Sequence, residues 1–482
     1  MGPHLSFLKC GLKMNCVLNE KKEKNMYDSK HFRGFKGILL ILLFTLTSLS
    51  YSQDYGIQAV NDDWNILPEK DRARVMNEWL EWRLENILPD LMREQGIDMW
   101  LIINREWIED PVFFTLVPEP LMASPGCVAL FFHDRGEKHG VERFSCAPGG
   151  RLVSGGYKRT WATREKTQFE ALADAIKKCN PKKIGINVSG RWGYGDGLTA
   201  SLRDDLEKAL GAEYSSRIVS AGDLCVRWME TRSPQEISVY KHICGVAHGI
   251  IAEFFSNKVI TPDITTVDEV RWWTRQRITD LGLDVWFHPS LSIIRSKEEA
   301  AKYDDNKNVI RRGDLLHCDL GIEYLGLCTD MQWHAYVCKI GEDDAPQGLK
   351  EALSRANRVA DILMSEFKEG KTGKEIANAA MSKAEAEGLR PSIYTHPVGI
   401  HGHGAGTTIN AVSPERQDER NVLRWDYPLY VNTCYAIELS STTSIPEWDN
   451  QDLKFGFEET AAFTKEGCKY IDGHQSEYYL IK

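Results

Sequence analysis

Four acids stand inside apolar, strand-forming runs, and any fold of this chain has to account for them. Asp319 and Asp330 flank a turn-like GIEYLG within HCDLGIEYLGLCTDMQWHAYV, residues 317–337. Glu438 lies in YAIEL, and Glu458 lies in FGFEETAAF with Glu459 beside it. Burying a carboxylate in such a run is costly unless it is paired with a cation or bound to a metal. The three runs contain no lysine or arginine. The turn HGHGAG adds His401 and His403 as candidate imidazoles. Oxygen-rich donors with one imidazole suit manganese first, with zinc, cobalt or iron as alternatives, and carboxylates able to bridge suit a pair of ions. Taken alone, HGH also fits a zinc motif of another hydrolase type, or simply polar residues in a loop.

At 482 residues the chain is too long for one ordinary core, and two domains are expected. Apolar residues at helical spacing from Asp71 to about Gln95 predict a helix, closed by Gly96 ahead of a buried strand, MWLII. Further strands are expected at 127–132 and 182–189, interleaved with helices near 167–178 and 199–210, which makes residues 54–230 an α/β domain. RWGYGDG, with neither a GxGxxG pattern nor a P-loop lysine, reads as a loop. Ser233, Pro234 and Glu236 mark a helix start, and with it a second domain over 233–482. Inside that domain Thr266, Glu269, Val270, Gly282 and Leu283 align at one offset with Thr372, Glu375, Ile376, Gly388 and Leu389. This suggests a duplicated α+β unit with a site where its halves meet.

A net charge of −10 provides no basic field for a phosphate backbone, so nucleic acid is not an expected partner. Residues 1–52 read as a leader: Lys30, Arg33 and Lys36 precede the apolar run Ile38 to Leu46, and Ser50 and Ser52 fill small-residue positions ahead of Gln53. The run is short for a bilayer span, so export without stable membrane insertion is expected, a membrane anchor being the alternative. Ten of the 12 cysteines follow residue 53 without a CxxC pair, so small buried hydrophobes are the simplest reading, although an exported chain could pair some of them.

In order and approximate spacing, DLGIEYLGLCTD, HGHGAG, IEL and FEETAAFTKEG resemble the metal-binding segments of the M24 metallopeptidases. These are the pita-bread family of Xaa-Pro aminopeptidases, prolidases and methionine aminopeptidases. The resemblance covers 233–482, and the preceding α/β domain resembles the creatinase-type N-terminal domain of the prolyl-specific branch. It implies a pseudo-twofold α+β catalytic domain and two divalent ions. Asp319 would hold one ion, Asp330 and Glu458 would bridge both, His403 would be the metal histidine, and Glu438 would bind the second ion and handle the proton. The implied activity is metal-assisted hydrolysis of a short peptide near its N-terminus, in a protein that is often a homodimer. The sequence also departs from the family. A histidine expected before the first aspartate is replaced by Lys302 and Tyr303 in KYDD; those expected seven residues after and four before the metal histidine are Asn410 and Gly399, with His401 and His396 close enough to substitute. Tyr303, Asn410 and His401 are therefore candidate substrate contacts. A lyase or small-amide hydrolase on the same fold, or a binding module without turnover, are the alternatives.

Overall fold

The computed structural model describes residues 64–482 apart from 122–125, 149–151, 153–154, 163–164, 304–307 and 411–424. The expected leader, residues 1–52, lies outside the described residues. All described residues fall within one compact unit of the chain, Ile57–Lys482.

The N-terminal half begins with α1 (Glu69–Asn86) and α2 (Leu88–Glu94). The single helix expected over 71–95 is divided at Ile87, because Pro89 lacks the amide hydrogen a helix interior needs. There follow β1 (Met99–Arg105), β2 (Cys127–Asp134), β3 (Val141–Cys146), β4 (Lys158–Arg159), α3 (Gln168–Cys179), β5 (Ile184–Ile186), α4 (Ala200–Ser215), β6 (Ile218–Ser220) and α5 (Gly222–Glu230). The strands make one sheet in the order β4-β3-β2-β1-β5-β6, antiparallel from β1 to β3 and parallel from β1 to β6. Alternation along β1 sends Trp100 and Ile102 into one core and Met99, Leu101 and Ile103 into the other, as expected of a strand covered on both faces. RWGYGDG is a loop with one tight turn at Gly193–Gly195.

The C-terminal half opens with α6 (Pro234–Phe254), where the Ser233 hydroxyl accepts from the Glu236 amide and the Glu236 carboxylate accepts from that of Ser233. It continues through α7 (Val267–Asp280), β7 (Asp284–Val285), β8 (Ser290–Ile294), α8 (Lys297–Lys302), β9 (Leu315–Leu320), β10 (Ile322–Tyr324), β11 (Leu327–Cys328) and β12 (Met331–Val337). The remaining elements are α9 (Gln347–Ser365), α10 (Gly373–Ala386), β13 (Pro391–Pro397), β14 (Ile409–Asn410), β15 (Thr433–Ala436), β16 (Leu439–Ile445), β17 (Gln451–Phe457), β18 (Thr460–Thr464), β19 (Gly467–Tyr470) and β20 (Tyr479–Ile481).

The residues that align in sequence are those that start and stop equivalent helices. Thr266 with Glu269 caps α7 by the same reciprocal pair of hydrogen bonds with which Thr372 and Glu375 cap α10. Gly282 and Gly388 follow the two helices at φ 65° and 74°, the left-handed conformation that ends a helix and that glycine adopts without strain. Helices α6 and α7 cover the sheet β20-β12-β9-β8, while α9 and α10 cover the larger sheet β17-β16-β13-β15-β18-β19. The two sheets meet at a short seam. The Gln332 amide donates to the Glu458 carbonyl at 3.1 Å, and the Thr460 hydroxyl donates to the Asp330 carbonyl at 3.2 Å. Between the halves of the molecule, buried Glu236 accepts from Arg83 of α1 at 2.8 Å and from Arg232 at 2.9 Å. No helix among the described residues is long and apolar enough to cross a membrane.

Candidate metal centre

The acids that stood out in sequence lie along this seam. Asp319, on β9, is opposite Ser290 of β8 on one side and Gln332 of β12 on the other. Asp330 immediately precedes β12, Glu438 lies between β15 and β16, and Glu458 follows β17. A histidine on β13 completes the group, and it is His396. Its Nε2 lies 3.4 Å from Glu458 Oε1, 3.5 Å from Asp330 Oδ2 and 3.9 Å from Glu438 Oε2. One donor atom each from Asp330, His396 and Glu458 falls within 4.8 Å of the others. His396 Nδ1 donates to the Pro397 carbonyl at 3.0 Å, which directs Nε2 at the acids; with its Nε2 proton displaced, the ring would offer a lone pair to a metal there.

The cluster gathers four carboxylates around a single imidazole. Burial pushes the carboxyls of Asp319, Asp330, Glu438 and Glu458 up to about 7, and their mutual repulsion adds to the rise. Burial disfavours the His396 imidazolium, yet the Asp330 and Glu458 carboxylates beside it hold it well above the usual histidine value. Asp319 Oδ1, Asp330 Oδ1 and Glu458 Oε1 are buried with no hydrogen-bond partner among the described residues. Buried polar atoms are ordinarily satisfied. Orphaned carboxylate oxygens gathered around one imidazole nitrogen are a donor set that fits a divalent cation.

His403, the expected metal histidine, is exposed and stands beside this group, its ring edge-on to His396 at 4.6 Å and 5.3 Å from the Trp286 ring. Its carbonyl accepts from the Tyr194 hydroxyl. His401 points elsewhere and stacks flat on Tyr194 at 5.1 Å. It borders a cavity of about 490 Å³ between the two halves of the molecule. Asn410 is on β14, paired with Tyr394. Tyr303 lies between the guanidinium groups of Arg311 and Arg295, 4.3 and 5.3 Å from its ring, and not with the acids. Glu459 turns away from the cluster and accepts from Trp333 Nε1 at 2.9 Å, with His248 Nε2 at 3.0 Å.

His396, expected only as a stand-in for a substrate histidine, carries in YTHPV the same signal as the acids, an ionisable residue in an apolar strand. Gln332, which joins Glu438 and Glu458, and Trp286, which walls the site, carry no such signal. The indole donates to the Thr329 carbonyl at 2.9 Å and lies flat over glycines; a Cβ on Gly321 or Gly402 would sit 2.0 or 2.1 Å from it. A cavity of about 220 Å³ adjoins the cluster, bordered by His317, Gln332, Tyr394, Glu438 and Lys454. A wider one of about 800 Å³ is in the N-terminal half, where Arg135 and Lys158 pair with Glu142 and Lys166 with Asp174. It shares no residue with the acid cluster, so the smaller cavity is the one joined to that chemistry.

Residues 238–465 match the family model described as metallopeptidase family M24. No match was found among curated protein sequences. Among solved structures, an X-Pro aminopeptidase from Thermotoga maritima MSB8 is 17% identical with a TM-score of 0.56, over 81% of this chain and 99% of that one. A dipeptidase from Pyrococcus horikoshii OT3 is 15% identical with a TM-score of 0.54, over 83% and 100%. Dipeptidase PepE from Mycobacterium ulcerans is 16% identical with a TM-score of 0.53, over 84% and 98%. The N-terminal α/β half and the pita-bread half are therefore both part of the shared fold.

Proposed function

We propose that this protein, whose residues 238–465 match the metallopeptidase family M24 model, is an exported dinuclear aminopeptidase of the Xaa-Pro type acting on short peptides. Residues 54–230 serve as its N-terminal domain and 233–482 as its hydrolytic domain. The observation that carries the reading is the convergence of three unpartnered buried carboxylate oxygens, from Asp319, Asp330 and Glu458, beside His396. Asp319, Asp330, His396, Glu438 and Glu458 would hold the ions, Asp330 and Glu458 being the acids placed to be shared between them. Manganese is the first choice of ion, with zinc, cobalt and iron as alternatives. Bound there, divalent ions would supply an acidified water and polarise a substrate carbonyl.

The chain's own residues supply the rest. Glu438, raised by burial, takes the proton of the attacking water and returns it to the leaving amine. With His396 as the ligand, the position seven residues onward is His403 and not Asn410. The histidine that family members carry there is therefore present, edge-on to His396 and able to donate to the developing oxyanion. Trp286 flanks it as an apolar wall that restricts water. A peptide-library digest read by mass spectrometry, with added Mn2+, tests the function. Release of N-terminal residues supports it, whereas turnover of small amides alone would move the protein to another reaction on this fold. No turnover and no bound divalent ion would exclude an enzyme.

A further inference from the structure

One neutral side chain holds two of the acids from behind. Gln332 donates its carboxamide hydrogens to Glu458 Oε2 at 2.9 Å and Glu438 Oε1 at 3.1 Å, and its oxygen lies 2.9 Å from His317 Nε2. An amide oxygen only accepts, so His317 Nε2 carries the proton, and its Nδ1 is left to accept from the Ser292 hydroxyl at 3.4 Å. Turning the amide over would set its oxygen against two carboxylates and its hydrogens against the His317 N–H. The network therefore fixes one orientation. Gly456 makes the space, since a Cβ there would lie 2.9 Å from Gln332 Oε1 and 3.2 Å from His317 Nε2. His334, stacked on Phe455 at 3.9 Å, packs against the His317 ring at 4.8 Å.

The consequence is a division of oxygens. Glu458 Oε2 and Glu438 Oε1 are engaged by Gln332, while Glu458 Oε1 and Glu438 Oε2 face His396 Nε2. A lysine or arginine at this position would engage the same oxygens but cancel the charge that attracts a cation. A carboxamide orients them and leaves that charge in place. We propose that Gln332, locked by His317, is a positioning residue that presents one oxygen of Glu438 and one of Glu458 to the metal and so sets the affinity for divalent ions. This rests on the metallohydrolase reading.

Co2+ titration, followed by visible absorption and by chelator competition, tests it in wild type, Gln332→Met, His317→Phe and the double variant. Partners behind metal ligands typically change affinity by about 10- to 100-fold. Gln332→Met is expected to weaken Co2+ by that amount and shift its absorption band, with the double variant no weaker, because His317 acts only through Gln332. If Gln332→Met does not fold, Gln332→Asn withdraws the amide by one methylene and gives the same readout. Wild-type affinity and band in the folded variant would overturn the positioning role alone. Failure of the wild type to bind Co2+ would overturn the metallohydrolase reading with it.

Discussion

His396 and His403 have their rings 4.6 Å apart, and His396 directs Nε2 at the acids while its other nitrogen is tied to the backbone. Their substitutions should therefore diverge. His396→Ala should weaken divalent-ion binding by more than the roughly 100-fold typical of an outer partner, as read by calorimetry. His403→Ala should keep its metal content and lose about 100-fold or more in kcat, the loss associated with a missing oxyanion donor. The acids also set a pH dependence in metal-free protein. Their folded values near 7 exceed the roughly 4 of an unfolded chain. The folded state then binds the extra protons, so the stability from these groups is complete below about pH 4 and is lost as the pH rises through about 7. The raised His396 value acts in the same direction. Urea midpoints of chelator-treated protein should fall between about pH 5 and pH 8 and recover with Mn2+; a rise without metal contradicts this. Asp319, Asp330, Glu438 and Glu458 were legible because an ionisable residue in an apolar strand is anomalous in one dimension. Gln332 was not, since a neutral amide in a strand raises no such flag and its partner Glu458 is 126 residues away.

At the scale of elements, Ser233 with Glu236 was legible as a helix start and caps α6. Thr266 and Thr372, legible only as matching positions of a repeat, cap α7 and α10 with glutamates at the same spacing. Thr266→Ala and Thr372→Ala should each cost about 1 kcal/mol in chemical denaturation. The Glu236 cap does more, because its buried carboxylate also balances Arg83 and Arg232 across the two halves. Glu236→Gln should cost about 3–5 kcal/mol, the usual consequence of stranding a buried charge, and a loss below about 1 kcal/mol would remove it as the link between halves. Other boundaries were set by context. The split at Ile87 follows from Pro89, and β5 ends at Ile186, short of the expected 189, where Val188 turns its amide back to Ile186.

Across the molecule, duplication explains where the site is. Two helix-backed sheets, each with its own core, meet at strands whose inward residues neither core can cover, and the acids occupy that joint. The aligned threonines, glutamates and glycines disclosed the duplication, but not how the seam closes. The neighbouring turn brings residue 403 back against residue 396, a folding-back that spacing alone did not order correctly. On the proposed function, this seam would hold a pair of divalent ions with His396 as their nitrogen ligand. Anomalous scattering from Mn2+-loaded crystals tests it most directly. Two peaks among Asp319, Asp330, His396, Glu438 and Glu458, both lost in Asp330→Asn, are the predicted result. A map without peaks at the seam, or a peak bound by His403 with His396 unligated, would contradict it.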